Sequence, residues 1–266
     1  MQNSIPLRDF LDIIERELPH GTAMEGDRLG LQIQSGRTEI SSVLVCLDVT
    51  DEVILEARTI GCDCIVTFHP LLFAPMFSIA ESDRIGRLTA ELIRQNIALV
   101  SIHTNFDAFS QGTSEILAEK LGLDVTGVLI PDPNYEGRGV GAVAVAREAI
   151  RPEEFLQRVS AVCLAPLRFS EPVSEFIEKI VIVGGSGSDF LKDVLKSGAD
   201  AFITADVKYH TFHRASGHVM LIDAGHYETE QFVPEGITGL LKNLFSEWRI
   251  NFSTTRTLTN PVRYYP

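Results

Sequence analysis

The sequence predicts an α/β protein of two related halves, and three observations carry that prediction. Short apolar runs alternate with helical patterns from residue 42 onward. The stretch 43–69, VLVCLDVTDEVILEARTIGCDCIVTFH, matches the stretch 180–206, IVIVGGSGSDFLKDVLKSGADAFITAD, in kind. Each gives an apolar strand, a helix, a Gly-x-Asp (Gly61 and Asp63, Gly198 and Asp200), a short strand and a threonine (Thr67, Thr204), and His69 or Asp206 stands two residues further on. Strands joined through a helix run parallel, because a hairpin cannot make that crossover.

The elements follow in order. Residues 4–18 read as an amphipathic helix with Leu7, Phe10, Leu11, Ile14 and Leu18 on one face, Ser4 as cap and Pro19 as stop. Residues 42–47 form a strand, Thr50 caps a helix that ends at Gly61, and 64–67 is a second buried strand. A helix over 83–96 buries Ile85, Leu88, Leu92 and Ile93, a strand follows over 98–102, and Thr113 caps a helix carrying Ile116, Leu117 and Leu121. The densest cluster of chain breakers, from Pro131 to Gly141, places the division between a first half, 1–130, and a second, 131–266. Beyond it come a strand over 140–146, a helix over 152–162, a strand over 180–183, a helix over 189–196 and a strand over 201–204.

Composition bounds the function. The chain has 266 residues, 23 basic against 36 acidic, for a net charge of −13 spread along its length. That disfavours nucleic acid and anionic membrane as partners, since phosphate binding needs a local positive field. No apolar run approaches the length of a membrane helix, and the start lacks the pattern of a leader peptide, so a soluble, reduced, cytoplasmic protein is expected. Cys62-Asp63-Cys64 lies in an apolar run without a second pair, and the four cysteines read as buried thiols.

The chemistry gathers where apolar strands end. In open α/β sheets, ligands bind beyond the carboxyl ends of the strands. His69, His103, Asp107, Asp206, His226 and Glu230 all fall there, and His103/Asp107 and His226/Glu230 share a His-x-x-x-carboxylate spacing. Imidazole nitrogen with carboxylate oxygen suits Zn, Fe, Mn or Co. If the chain turns helical at 226–230, His226 and Glu230 emerge from one face. His103 reads as a ligand, as a partner orienting a ligand, as a proton carrier, or as a structural hydrogen-bonding histidine. Asp206 and His210, four apart, are expected to line the cleft; His213, His20 and His218 read as surface or loop residues. Residues 184–188, GGSGS, have the layout of an anion-binding turn or of a tight structural turn.

Taken together, "GDRLGLQIQSG", "HPLLF", "HTNFDA", "GGSGSDF", "TADVKYH" and "DAGHYETE" resemble the dinuclear metal centre family often labelled GTP cyclohydrolase 1 type 2 homologues. The resemblance spans residues 26–230. It implies two α/β halves with a two-metal site in the cleft between them and a homo-oligomeric ring, commonly a hexamer. The ligands it implies are His69, Asp107, His226 and Glu230, with Glu230 bridging, and His103, Asp206 and His210 around them. Phe68 departs from the pattern, standing where the family places a first histidine, so one ion loses a nitrogen. Water then fills the gap, the second ion binds weakly, or one ion binds alone. Ala205 is a smaller departure, where a glycine is usual, and the path from 122 to 150 leaves no room for the domain that some members insert. The expected activity is that of a metal-dependent hydrolase with one or two divalent ions, His103 as its catalytic proton carrier and an unknown small-molecule substrate, GTP by label alone. The alternative is a non-enzymatic metal-binding platform for regulatory partners.

Overall fold

The structure is a computed structural model and describes residues 3–265. Its contacts divide the chain into two units, Met1–Phe106 with Val233–Pro261, and Asp107–Phe232 with Val262–Pro266. The first unit holds β1 (Ile5–Pro6), α1 (Leu7–Glu17), β2 (Gly30–Ile33), β3 (Glu39–Ile40), β4 (Ser42–Cys46), α2 (Asp51–Thr59), β5 (Cys64–Thr67), α3 (Arg84–Arg94) and β6 (Ala98–Ser101). The short α4 (Thr104–Asp107) follows. In the second unit come α5 (Thr113–Lys120), β7 (Asp124–Pro131), β8 (Gly139–Ile150), α6 (Pro152–Cys163), β9 (Arg168–Phe169), β10 (Ile177–Ile182), α7 (Leu191–Ser197), β11 (Ala201–Thr204), α8 (Tyr209–Ala215), β12 (Met220–Asp223) and α9 (His226–Glu230). The chain then returns to the first unit through α10 (Val233–Leu244) and β13 (Asn251–Thr254).

The sheet of the first unit runs β13-β4-β5-β6-β2, parallel except for β2. Every residue of β5 and β6 is buried, as a parallel sheet covered on both faces requires. Leu44, Cys46, Ile65 and Leu99 pack under Val53, Ile54 and Ala57 of α2 and Leu88 and Leu92 of α3. Phe10 of α1 stacks at 4.9 Å on Phe245, the residue just after α10, and Phe245 stacks in turn on Phe252 of β13 at 5.7 Å.

In the second unit the order is β7-β8-β10-β11-β12-β9, with β10, β11 and β12 parallel. Successive side chains alternate between faces. Ile180, Ile182, Ala201, Ile203, Met220 and Ile222 join Leu117 of α5 and Phe155 and Val159 of α6, while Val181, Phe202 and Leu221 join Leu191 and Val194 of α7 and Ala215 of α8.

Several expectations need local correction. The first helix starts at Leu7, because Ile5 and Pro6 pair with Ile40 and Glu39; the Ser4 hydroxyl donates to Glu39 at 2.7 Å and caps nothing. Thr113 is the first helical residue of α5, buried, with Gly112 as cap. Ile93 is solvent-exposed, and Thr89 takes the inner position on α3. The breakers from Pro131 to Gly141 surround the turn of the β7–β8 hairpin, so the expected division after residue 130 falls inside a paired ladder, whereas contacts divide the chain after Phe106 and Phe232. Elements with no sequence expectation include β2, β3, α4, β7, β9, α10 and β13.

The four cysteines are free and buried. Burial pushes the Cys46 and Cys163 thiols up to about 12, and those of Cys62 and Cys64 upward as well, so none is a ready thiolate. Among the described residues, no helix is long and apolar enough to cross a membrane.

Candidate metal centre

In the first unit, two histidines follow adjacent strands. Beyond Thr67, the N–H groups of Phe68 and His69 donate to the carbonyls of Cys46 and Leu47 at 2.9 Å each, which carries the β4–β5 pairing past the strand end and delivers His69. The Thr67 hydroxyl reaches the carbonyls of Leu47 and His69 at 3.1 and 3.0 Å and fixes the same turn. The His69 Nδ1 lies 2.9 Å from the Asp48 carboxylate, whose other oxygen accepts from Thr259 at 3.3 Å.

His103 follows β6, where Ile102 N–H donates to the Thr67 carbonyl at 2.9 Å. Its Nδ1 lies 2.8 and 3.0 Å from the two oxygens of Asp27. Asp27 also accepts from the backbone N–H of Arg28 at 2.7 Å, from that of Thr104 at 3.1 Å and from the Thr104 hydroxyl. Burial works to raise the Asp27 carboxyl, but the bonds from His103, Thr104 and Arg28 outweigh it and hold it well below the usual carboxylate range. Phe68 is wholly buried, with its ring centroid 5.1 Å from that of His69 and 5.3 Å from that of His103.

In the second unit, β12 ends at Asp223 and Gly225 turns the chain at a φ of 87° into α9, which opens with His226. The expected helical turn exists, so His226 and Glu230 share a face, with Nε2 3.2 Å from Glu230 Oε2. Nδ1 lies 2.6 Å from Asp206. The Glu230 contact, opposed by burial and reinforced by Asp206, pulls the His226 imidazole up to about 9. Asp206 has a φ of 55°, a left-handed conformation uncommon for a residue with a side chain. Because α8 begins only at Tyr209, Asp206 and His210 do not share a helix as their spacing suggested. His210 and His213 are exposed and pack edge-on to Tyr209 at 5.3 and 4.7 Å.

The same device therefore occurs three times: Asp48 with His69, Asp27 with His103, Asp206 with His226. A carboxylate that accepts from Nδ1–H orients the ring, the arrangement found behind metal-bound histidines. Asp48 and Asp27 escaped sequence reasoning. Asp48 follows β4 as His69 follows β5, and Asp27 sits inside the "GDRLG" stretch, so the signal was their place in the chain.

The glycine-rich turn is structural in its hydrogen bonds. Gly184 N–H donates to Ser114 at 3.3 Å, Gly185 N–H to Thr229 at 3.0 Å and Gly187 N–H to Thr204 at 2.8 Å, so these three groups already have partners within the unit. Gly185 has a φ of 61°, and a Cβ there would collide with Glu230 Oε1. The bare backbone thus makes the space that the Glu230 carboxylate occupies.

His69, His226 and Glu230 are a group that could hold a metal ion. Two imidazole nitrogens and a nearly buried carboxylate fit a borderline divalent ion such as Zn or Fe, and the carboxylates behind the histidines fit it further. Asp107, the last residue of α4, is half-buried and is not one of these three. Burial first, and then the Asp107 charge, raise the nearby Glu115 carboxyl to about 7.

Comparison with known proteins finds relatives of this chain. A protein of Clostridium perfringens described as a GTP cyclohydrolase 1 type 2 homolog is 34% identical, covering 84% of this chain and 86% of the relative. One of Streptococcus pneumoniae with the same description is 32% identical over 96% and 98%. A crystal structure of a Staphylococcus aureus protein superposes with a TM-score of 0.90 at 27% identity, covering 98% of this chain and 99% of its own. The structure of a Bacillus cereus protein related to NIF3 superposes equally well, at 0.90 with 21% identity over 99% and 100%, which bears on fold alone. The family model described as Duf34/NIF3 (NGG1p interacting factor 3) matches residues 5–261, and with relatives above 30% identity over most of its length the chain belongs to that family.

Proposed function

We propose that this protein binds one or two divalent metal ions through His69, His226 and Glu230, with Asp107 as a further ligand, and acts as a metal-dependent hydrolase. The observation that carries the reading is the repeated carboxylate–histidine pair, since three imidazoles held by Nδ1 are ligands prepared in advance. When bound, a divalent ion polarises a carbonyl, phosphoryl or ring carbon and acidifies water. Of the protein's own groups, Asp48 and Asp206 orient His69 and His226, Gly185 leaves room for the Glu230 carboxylate, and the buried Phe68 ring packs beside those of His69 and His103. A nucleotide such as GTP is the first substrate to try, because relatives carry a cyclohydrolase description. The reading includes a cleft between two related halves, a homohexameric ring and a cytoplasmic setting, the last supported by four free buried thiols.

Phe68 supports a second reading, a metal-binding platform for partners without turnover, because a wholly buried phenylalanine brings no lone pair to the site. One experiment separates the two. Protein purified without a chelating tag is analysed for ions per chain, then assayed on GTP, phosphoesters and amides with and without added metal. Metal-dependent turnover supports the hydrolase; bound metal that changes assembly without any turnover supports the platform. Protein that holds no ion at any tested concentration overturns both.

A further inference from the structure

We infer that a hollow under the loop 72–80 of the first unit binds a small heteroaromatic anion, with its ring between the loop and α3 and its anionic group on Arg28. The inference goes beyond the metal-binding reading and does not rest on it. The hollow measures about 690 Å³, the size of a small-molecule site, and its lining includes Arg28, Leu72, Pro75, Met76, Phe77 and Thr89. All of these belong to the first unit.

Hydrogen bonds hold the loop at its two ends. At the first, Leu72 N–H donates to Gln32 Oε1 at 3.0 Å, and Gln32 Nε2 reaches back to the carbonyls of Arg28 and Leu72 at 3.3 and 3.5 Å. At the second, Ala80 lies against Gly86 of α3, where a Cβ would come within 2.6 Å of the Ala80 carbonyl oxygen, and Asp83 N–H donates to that oxygen at 3.2 Å. Among the described residues, no backbone N–H from 73 to 79 donates to the protein. The loop also shows its apolar side chains to water: Phe77 is fully exposed and Ile79 is 58% exposed. A bound ring covers part of that surface, and the unbranched Met76 side chain adapts to its shape.

Two polar groups of the hollow decide the class of ligand. Arg28 is bonded through its backbone, its N–H to Asp27 at 2.7 Å and its carbonyl to Gln32, while its exposed guanidinium has no hydrogen-bond or ion-pair partner among the described residues. A free guanidinium beside apolar walls, in a chain of net charge −13, selects a carboxylate or phosphate. Thr89 is 4% exposed, and its Oγ1 is shut away from water without a hydrogen-bond partner. An unmet buried hydroxyl is unfavourable, so a ring nitrogen or carbonyl oxygen that reaches it as the loop parts from α3 gains a hydrogen bond for which the protein gives none up. A hydrocarbon ring offers that hydroxyl nothing, which makes the ligand heteroaromatic.

The test is isothermal titration calorimetry of the full chain, stripped of metal so that no ion competes for the anionic group. The probes are guanosine monophosphate, indole-3-acetate, guanosine and inorganic phosphate. At least one of the two aromatic anions is expected to bind, more tightly than guanosine, and phosphate alone is expected not to bind. Arg28→Gln, a change at an exposed side chain, should weaken that anion about 10–100-fold, and Arg28→Lys should keep part of the affinity. Thr89→Val should weaken it roughly three- to tenfold and yet raise the melting temperature of the free protein, because the unmet hydroxyl is gone. A merely structural role for Thr89 would not move the two in opposite directions. Failure of both anions to bind at millimolar concentration, or equal affinity of the parent and Arg28→Gln, overturns the inference. If Phe77→Ser dissociates an oligomer of the parent in analytical ultracentrifugation and binds the anion as the parent does, the surface is an interface between copies and the inference falls as well. The metal-binding reading stands or falls apart from these outcomes, since every variant leaves His69, His226 and Glu230 in place.

Discussion

The parallel cores β4-β5-β6 and β10-β11-β12 agree bond for bond at one end and part company at the other. At the amino ends, Asp63 N–H donates to Ser42 and Asp200 N–H to Lys179, while Ala98 N–H donates to Asp63 and Met220 N–H to Asp200. Both aspartates clamp the start of the preceding strand: Asp63 accepts from the N–H groups of Ser41 and Ser42 and the Ser41 hydroxyl, Asp200 from those of Glu178 and Lys179 and the Ser174 hydroxyl. Left-handed Gly61 and Gly198 end the helices before them.

Divergence starts after Thr67 and Thr204. Phe68 N–H continues the ladder to Cys46, whereas Ala205 N–H turns to Gly185, and the Thr204 hydroxyl spends itself on the glycine turn. Where the first unit places His69, the second places Asp206, the carboxylate that orients His226. Ile102 and Ala224 make the last matched bonds, to Thr67 and Thr204; His103 comes next, but His226 comes one residue later, after Gly225. The lesson is that the buried polar groups which hold strands together tolerate little change, while the chain beyond the ladder is free to redistribute imidazole and carboxylate.

If that division is sound, the largest effects on stability belong to the amino ends. Asp63→Ala and Asp200→Ala each leave backbone donors unsatisfied and should cost about 2–4 kcal/mol in denaturant unfolding, with metal affinity of the folded protein unchanged. A loss of metal binding without a loss of stability breaks the comparison.

Next comes a buried carboxyl on α5. With the Glu115 carboxyl raised to about 7 in the folded protein and near 4.5 when unfolded, the folded state binds more protons, so stability falls as pH rises from 4.5 through 7. Glu115→Gln should therefore stabilise the metal-free protein at pH 8 by up to about 3 kcal/mol and change little at pH 4.5, as read from melting curves.

Gly185→Ala tests the glycine turn. Its left-handed φ and the collision with Glu230 predict a cost of about 2 kcal/mol together with weaker metal binding, whereas alanine at Gly198, whose Cβ meets nothing within 4 Å, should cost only the conformational strain of about 1 kcal/mol. Equal effects of the two on metal affinity would remove the special role of Gly185.

The smallest effect on stability should be that of Asp206→Asn, an exposed residue, yet metal affinity should drop about 10–100-fold because the charged acceptor behind His226 becomes a neutral amide. Isothermal titration with Zn²⁺ measures it, and an unchanged affinity would mean that the pair is a surface ion pair only.

Legibility followed these same lines. The strands at 42–46, 64–67, 98–101 and 201–204 were readable because a sheet covered on both faces must be continuously apolar. Thr50 and Asp83 cap α2 and α3 through bonds to Val53 and Gly86 at 3.3 and 2.8 Å, and such local signals need no knowledge of the fold. Ser4 and Thr113 misled for the opposite reason: a cap depends on where the first helical turn starts, and pairing of Ile5 with Ile40 moved it in one case, a buried Gly112 in the other. The strand β13 is polar enough at Asn251 to pass for a loop, and only its parallel partner β4 makes it a strand.

By itself the sequence determined the alternation of strand and helix, the free buried thiols and the residues at the strand ends, because hydrophobic period, capping and turn chemistry act over a few neighbouring residues. Tertiary structure decided which carboxylate serves which histidine. Asp27 meets His103 across 76 positions, Asp48 meets His69 across 21 and Asp206 meets His226 across 20, and hydrogen bonds of that reach exist only once packing has brought distant strand ends into register.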